Sequence, residues 1–161
     1  RWEQQGRLRG VITQNIDDLH LQAGSKNVLE LHGSLRTFTC MGCHQSLPGR
    51  DILPAFIGSG KHPLCPNCQA ILKPDIVLFE ESLPTSTWYK AESHAQMADL
   101  MIVVGSSLSV TPAAYIPQEA VNSGAKLIIL NQTPTYLDSI ASVRLSADVA
   151  QVLPALVSSI L

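Results

Sequence analysis

Four cysteines constrain this chain more than any other feature. They fall as two pairs, Cys40-x-x-Cys43 and Cys65-x-x-Cys68, with 21 residues between the pairs. Each tight C-x-x-C turn aims two thiolates at one point, and two such turns complete a tetrahedral sulfur set for Zn²⁺. Gly42 inside the first knuckle and Pro66-Asn67 inside the second are turn-forming residues. A disulfide framework fits less well, because cysteine is absent elsewhere and the opening Arg1-Trp2-Glu3-Gln4-Gln5 is polar where a secretory leader is apolar. A redox dithiol needs only one pair. The spacing therefore points to structural zinc on Cys40, Cys43, Cys65 and Cys68. His44 and His62 lie close by, but four sulfurs already close the shell, which leaves both for the surface or for outer contacts.

The remainder has the make-up of one globular domain. The chain has 161 residues, 45% of them hydrophobic and 15% charged. That apolar content excludes a disordered segment, which could not offset its ordering entropy. A net charge of -2 and a pI near 6.2 argue against a general nucleic-acid binder, which needs surplus Lys and Arg. The longest apolar run, Leu100 to Val104, is far short of a membrane span. A cytoplasmic protein is the expectation. Residue 1 is Arg and not Met, so the chain reads as a piece of something longer.

Short apolar runs alternate with helical stretches, which indicates an α/β fold with a doubly wound parallel sheet. Strands are expected over Arg9–Thr13, Asn27–Leu31, Asp99–Val104, Leu127–Leu130 and, as a short edge, Ser142–Leu145. Helices are expected over Thr85–Ala98, over Pro112–Ser123 closed by Gly124, and over Val149–Leu161 with Pro154 near its start. Residues 36–73 hold the ribbon, rich in Gly and Pro and without an amphipathic pattern, as an insertion whose order depends on metal. Residues 1–35 and 74–161 then form the two portions of the sheet domain. Polar clusters follow four strands: Gln14 to Asp17, His32, Gly105 to Ser107, and Asn131. In an open doubly wound sheet, ligands bind along that carboxyl edge. The Gly-x-Gly-x-x-Gly phosphate turn is missing, and Gly58-Ser59-Gly60 follows no strand.

Five ordered segments resemble one family, the sirtuins, which are NAD-dependent protein deacylases. Thr13-Gln14-Asn15-Ile16-Asp17-Asp18-Leu19-His20 is similar to the family's TQNIDxLH signature, and Glu30-Leu31-His32-Gly33 to its ELHG motif. Lys73-Pro74-Asp75-Ile76-Val77-Leu78-Phe79-Glu80-Glu81-Ser82-Leu83-Pro84 is similar to its substrate loop. Gly105-Ser106-Ser107-Leu108-Ser109-Val110-Thr111-Pro112-Ala113-Ala114 resembles its GTSLxVxPAA loop, and Asn131 the Asn after the next strand.

The resemblance implies a Rossmann-like sheet with an inserted zinc ribbon and a defined chemistry. An acyl-lysine carbonyl oxygen attacks C1′ of the nicotinamide ribose, nicotinamide leaves, and the acyl group passes to the ribose to give O-acyl-ADP-ribose. A base must activate a ribose hydroxyl, and imidazole is suited to that task near neutral pH. His32 is the implied base, with Asn15 beside it in the catalytic set. An isolated His at a strand end is more often a capping or core residue; the Glu-Leu-His-Gly context reverses that preference. Gln14, Asn15, Ile16 and Asp17 are implied to hold the nicotinamide, its ribose and an ordered water. An Asx turn capping the next helix is the plainer account of Asn15 to Asp18, and it leaves other atoms free for a ligand. Gly105, Ser106 and Ser107 are implied at the phosphates or ribose, Asn131, Gln132 and Thr133 at the adenosine ribose, and Val149 near adenine. The acyl-lysine peptide is implied to pair by backbone between Val77–Glu80 and Leu108–Val110, with Val77, Phe79, Glu80, Leu108 and Val110 as contacts.

Two departures bear on these expectations. Sirtuins typically carry Phe-Gly-Glu where this chain has Phe79-Glu80-Glu81, which removes glycine's freedom at positive φ and adds a carboxylate beside the peptide path. A preference for basic flanking residues is expected. The family also carries an N-terminal strand, a GAGxS phosphate loop and an Asp-Phe-Arg stretch before TQNIDxLH, and none is in these 161 residues. The sheet is thus expected to lack its first strand, and the isolated chain to be a poor catalyst, marginally stable or aggregation-prone. Two other readings fit the same residues: a protein ADP-ribosyltransferase, and a non-catalytic zinc-ribbon adaptor.

Overall fold

The structure, a computed structural model, describes residues 1–159. They divide into two compact units, one spanning Val11–Thr87 and the other Arg1–Gly10 with Trp88 onward.

In the Val11–Thr87 unit, β1 (Val11–Thr13) runs parallel to β2 (Val28–Glu30), with Val11 opposite Val28 and Thr13 opposite Glu30. Parallel neighbours need a crossover, and the turn carrying the short helix α1 (Leu19–Gln22) supplies it. The Leu31 N–H donates to Thr13 O at 2.9 Å and carries the pairing to the doorstep of His32. Both strands are shorter than expected: Arg9-Gly10 stay outside the first, and Asn27 and Leu31 outside the second.

A three-stranded antiparallel sheet follows, in the order β4 (Ser46–Pro48), β3 (Gly33–Cys40), β5 (Leu72–Ile76). Phe38, Cys40, Cys65 and Leu72 form its buried core. Helix α2 (Gly49–Ser59) packs Ile52 and Leu53 against that core. The absence of an amphipathic pattern over residues 36–73 predicts no such helix; Pro54 and Gly58 hide it, since both read as breakers. Pro54 sits inside the helix, and only about one turn of α2 presents apolar residues to the sheet. Gly58-Ser59-Gly60 is the end of this helix, with the Gly60 N–H donating to Phe56 O at 2.8 Å. Strand β5 continues through residue 73, where the sequence reading ends the ribbon, because Lys73 and Pro74 pair with Thr39 and Phe38.

The junction of β2 and β3 depends on Gly33. Its φ is +70°, and a Cβ there would lie 2.1 Å from the Asp75 carbonyl oxygen. Gly33→Ala is therefore expected to cost roughly 3 kcal/mol, from backbone strain plus a displaced β5. Urea unfolding of the full-length protein measures this, and an unchanged midpoint would contradict the close approach.

In the other unit, β6 (Leu100–Val104), β7 (Lys126–Leu130) and β8 (Val143–Leu145) form a parallel sheet in sequence order. Val103, Leu108, Ala114, Leu127, Ile129 and Leu137 make its core. Helix α3 (Thr85–Gln96) precedes β6 and buries Ala91 and Ala95, two residues short of the expected end at Ala98. The helix expected over Pro112–Ser123 is instead a 3₁₀ turn over Ala113–Tyr115 followed by α4 (Ile116–Asn122). Pro117 explains the break: it has no N–H to give and fits only the first turn of a helix. Helix α5 (Val149–Ser159) carries Pro154, and the last two residues of the expected helix lie outside the described residues. Among the described residues no helix is long and apolar enough to cross a membrane.

Candidate functional site

The carboxyl ends of β1 and β2 and the end of β5 open onto a cleft of about 460 Å³, lined by Gln14, Asn15, Ile16, Asp17, His32, Ile76 and Val77. That volume lies within the range of small-molecule sites. Five of the lining residues are ones the sequence singles out: the four of the Gln14–Asp17 run and His32. Val77 is a sixth, and its N–H donates to His32 O at 2.9 Å. The backbone of β5 thereby fixes the carbonyl of the histidine while leaving the ring alone. The imidazole of half-buried His32 makes no hydrogen bond among the described residues, so both ring nitrogens remain available to a ligand.

Asp17 plays two parts. Its Oδ1 accepts the Leu19 N–H at 3.0 Å, as expected of an Asx turn opening α1, and Oδ2 accepts no hydrogen bond among the described residues. The Asn15 N–H donates to Thr13 Oγ1 at 3.1 Å, which holds the loop, while the side-chain amide of exposed Asn15 makes no hydrogen bond among the described residues. The cleft thus offers amide donors and acceptors, one carboxylate oxygen and an imidazole, a set that suits a carboxamide and ribose hydroxyls.

The four cysteines meet as their spacing requires. All four Sγ atoms lie within 4.8 Å of one another. Cys40 to Cys68 is 3.4 Å and Cys43 to Cys65 is 3.7 Å, against about 3.8 Å for the edge of a tetrahedron with 2.3 Å metal–sulfur bonds. The Cys43 amide, helped by that of Gly42 and opposed by burial, pulls the Cys40 thiol down to about 6. Both amides lie 3.4 Å from its sulfur. Thiolate is the form that binds metal. Gly42 is needed here for space: a Cβ would lie 2.8 Å from Ala70 Cβ and 3.3 Å from Cys68 Sγ. His44 and His62 are exposed and lie outside the clustered ligand set.

The other unit gathers its own polar edge. At the end of β6 the Gly105 N–H donates to Leu130 O at 2.8 Å, and beyond β7 the Asn131 N–H donates to Leu145 O at 3.1 Å. Asn131 is buried, and its Nδ2 donates to Thr133 O at 2.9 Å and Thr133 Oγ1 at 3.1 Å, leaving Oδ1 for a ligand. Ser107 Oγ pairs with Ser109 Oγ at 2.7 Å, and Ser106 Oγ accepts the Leu108 N–H at 3.3 Å. Gln132 is exposed and its carbonyl accepts Ser146 Oγ at 2.9 Å. Val149 faces Gly105: a Cβ on that glycine would meet Val149 Cγ2 at 3.9 Å.

The expected peptide contacts differ in kind. Phe79 is 97% exposed, Val110 is exposed, and Glu80 stands in the left-handed region at φ +70° with no partner for its carboxylate among the described residues. Leu108 belongs to the β6–β7 core, so only its backbone could meet a peptide. Glu81 is used internally: Oε2 accepts the Leu78 N–H at 2.9 Å and Lys73 Nζ at 3.0 Å, and these donors hold its carboxyl below the usual range.

The structure adds one charged group that the motifs do not flag. On β3, Arg36 donates from Nη1 to Asp18 Oδ1 and to Glu30 Oε1 at 2.8 Å, and from Nη2 to Glu30 Oε2 at 2.5 Å. Nothing in the spacing of these residues signals the contact, because it joins three separate stretches of chain.

A Sir2 family model matches residues 1–112. NAD-dependent protein deacylase 2 of Archaeoglobus fulgidus is 43% identical over 159 residues, covering 98% of this chain and 62% of that protein. NAD-dependent protein deacetylase of Thermotoga maritima is 42% identical over 149 residues, covering 92% of this chain and 60% of that protein. This chain therefore spans about three fifths of the length of these two relatives. A solved complex described as Sir2 with a p53 peptide and NAD+ superposes with a TM-score of 0.92 at 40% identity, over 98% of this chain and 65% of that one. Another, described as Sir2 bound to acetylated peptide, gives 0.92 at 39%, over 98% and 66%. A match over more than half the chain, joined to relatives at these identities, places the sequence without ambiguity: it belongs to the Sir2 family.

Proposed function

We propose that the full-length protein carrying this chain is an NAD-dependent protein-lysine deacylase, a group-transfer enzyme that moves an acyl group from lysine to ADP-ribose. The observation that carries the proposal is the His32 imidazole, which makes no hydrogen bond among the described residues and is set in a cleft with Gln14, Asn15, Ile16 and Asp17. NAD supplies an activated glycosidic bond, and one water is consumed overall as acyl-lysine and NAD give free lysine, nicotinamide and O-acyl-ADP-ribose. Within this reading Asp17 Oδ2 and the Asn15 amide orient the carboxamide and ribose, and His32 takes the proton of a ribose hydroxyl. Gly105, Ser106 and Ser107 serve the phosphates, Asn131, Gln132 and Thr133 the adenosine ribose, and Val149 the adenine. Zn²⁺ on Cys40, Cys43, Cys65 and Cys68 is structural, since four thiolates leave no open position for a reacting group. Reduced, metal-binding thiolates suit a reducing compartment such as the cytoplasm.

Val77, Phe79, Glu80 and Val110 are proposed to receive the acyl-lysine peptide, along with the Leu108 backbone. Backbone pairing is tolerant of sequence, so the free carboxylate of Glu80 is the selective element, favouring basic flanks. Mixing NAD, an acetyl-lysine peptide and the full-length protein should release nicotinamide and O-acetyl-ADP-ribose. Peptides with basic flanks should turn over several-fold faster than peptides with acidic ones, on the scale of one exposed charge pair, about 1 kcal/mol. Labelled ADP-ribose retained on protein would point instead to ADP-ribosyl transfer, and no nicotinamide release at all to an adaptor. Equal rates for both peptides would remove the role given to Glu80.

A further inference from the structure

Apart from Ile76 and Val77 at the end of β5, the cleft is lined by two stretches of chain that share little backbone pairing with each other. One is the loop Gln14–Asp17, which hangs between β1 and α1. The other is the end of β2 that delivers His32. Backbone pairing ties the strands together as far as Thr13 and Leu31, and there it stops. Beyond that point Asp18, which follows the last cleft residue of the loop, holds a left-handed backbone at φ +67°. That region is uncommon for residues other than glycine, although Asp enters it more readily than most.

Arg36 ties this turn to the other side of the cleft. Its guanidinium holds Glu30 through two parallel bonds, at 2.8 and 2.5 Å, and reaches Asp18 from Nη1. Glu30 lies two residues before His32, and Asp18 one residue after Asp17. The Glu30 side chain is only 12% exposed and Asp18 27%, while Arg36 itself is 44% exposed. None of the three lines the cleft. Two carboxylates from either side of the cleft thus converge on one cation. A planar fork is suited to holding two carboxylates at a fixed separation, and a lysine ammonium is not.

We infer that Arg36 is a positioning residue, a clamp that sets the Gln14–Asp17 loop against His32 by bridging Asp18 and Glu30. The clamp governs how well the loop meets the nicotinamide end of NAD, and it does so without touching that ligand. This rests on the deacylase reading for its kinetic consequence but not for its structural one. A half-exposed ion pair contributes little to global stability, whereas a displacement of about 1 Å in a positioned loop can cost up to about 100-fold in rate.

The test uses Arg36→Gln, Asp18→Asn and the double variant in the full-length protein. Each single variant should raise KM for NAD about 5- to 10-fold and weaken nicotinamide inhibition by a similar factor, with kcat changed less than 3-fold. The double variant should be no worse than Arg36→Gln alone, since that substitution already removes the Asp18 contact together with the Glu30 pair. Arg36→Lys should fall between, because an ammonium can serve one carboxylate at a time. Amide hydrogen exchange supplies a readout independent of activity: protection over residues 15–22 should drop in Arg36→Gln while β3 keeps its own. If the wild type releases no nicotinamide, the deacylase reading fails, and exchange alone still decides on the clamp. Unchanged KM and unchanged exchange in Arg36→Gln would overturn the inference, as would additive losses in the double variant. A uniform loss of protection across β3 and the ribbon would also overturn it, by showing a role in folding and not in positioning.

Discussion

Stripping the full-length protein with a strong chelator, or replacing Cys40 by Ser, is expected to unfold the β3–β4–β5 module. The reason lies in the composition of its core. Of the four buried residues there, two are the ligands Cys40 and Cys65, leaving Phe38 and Leu72 as the apolar contribution. Leu47, Ile52, Leu53 and Ala70 add only partly buried surface. A module of about 40 residues with so little apolar burial does not stand without a metal or crosslinks. Structural zinc in small domains is worth on the order of 10–16 kcal/mol at neutral pH, far more than this core could return. The expected measurements are one zinc per chain by metal analysis, four thiols protected from a thiol reagent until chelation, and loss of far-ultraviolet ellipticity as they react. Acid should release the metal too, because protonation of the thiolates competes with binding, and stability is therefore lost as pH falls. Thiols that react equally fast before and after chelation, with no zinc found, would refute the metal site.

The cysteine knuckles were legible because C-x-x-C spacing is a local rule: the turn geometry follows from adjacent residues. The same holds for the apolar runs Leu100–Val104 and Leu127–Leu130, which pair in a parallel sheet, with Val103, Leu127, Ile129 and Leu130 buried and Leu100 and Val104 exposed. The Gln14–Asp17 loop and His32 could be named from their motifs, and the structure brings them into one cleft with Val77. What stayed hidden was decided at long range. Helix α2 contains Pro54 and ends in Gly58-Ser59, so its local signals read as loop; it packs because Ile52 and Leu53 find the ribbon core. Strand β5 was masked by Pro74, which forms no alternating pattern yet pairs opposite Phe38. Leu108 sits in a loop motif but its side chain joins the core of β6 and β7, where sequence position says nothing of direction. The Arg36 bridge spans 18 residues to Asp18, beyond the reach of any periodicity.

His32→Ala is expected to lower formation of O-acetyl-ADP-ribose about 1000-fold, within the range for loss of a general base. The substitution should be tolerated by the fold. The ring makes no hydrogen bond among the described residues, and the contact that anchors this position, Val77 N–H to His32 O, belongs to the backbone and survives. The unfolding midpoint should thus stay close to that of the wild type, unlike Gly33→Ala one residue later. The order of bond changes adds a sharper expectation. In the proposed chemistry nicotinamide departs before a ribose hydroxyl needs its proton removed, so the imidazole acts only on the second stage. Exchange of labelled nicotinamide into NAD, which reports the first stage, should be reduced far less than product formation. A structural histidine would depress both by the same factor, because both would follow the folded fraction. An adaptor would show neither activity in the wild type and no change on substitution. The ratio of exchange to product formation therefore separates a proton-transfer role for His32 from a supporting one, and a ratio equal to that of the wild type would refute the assignment even if both rates fell.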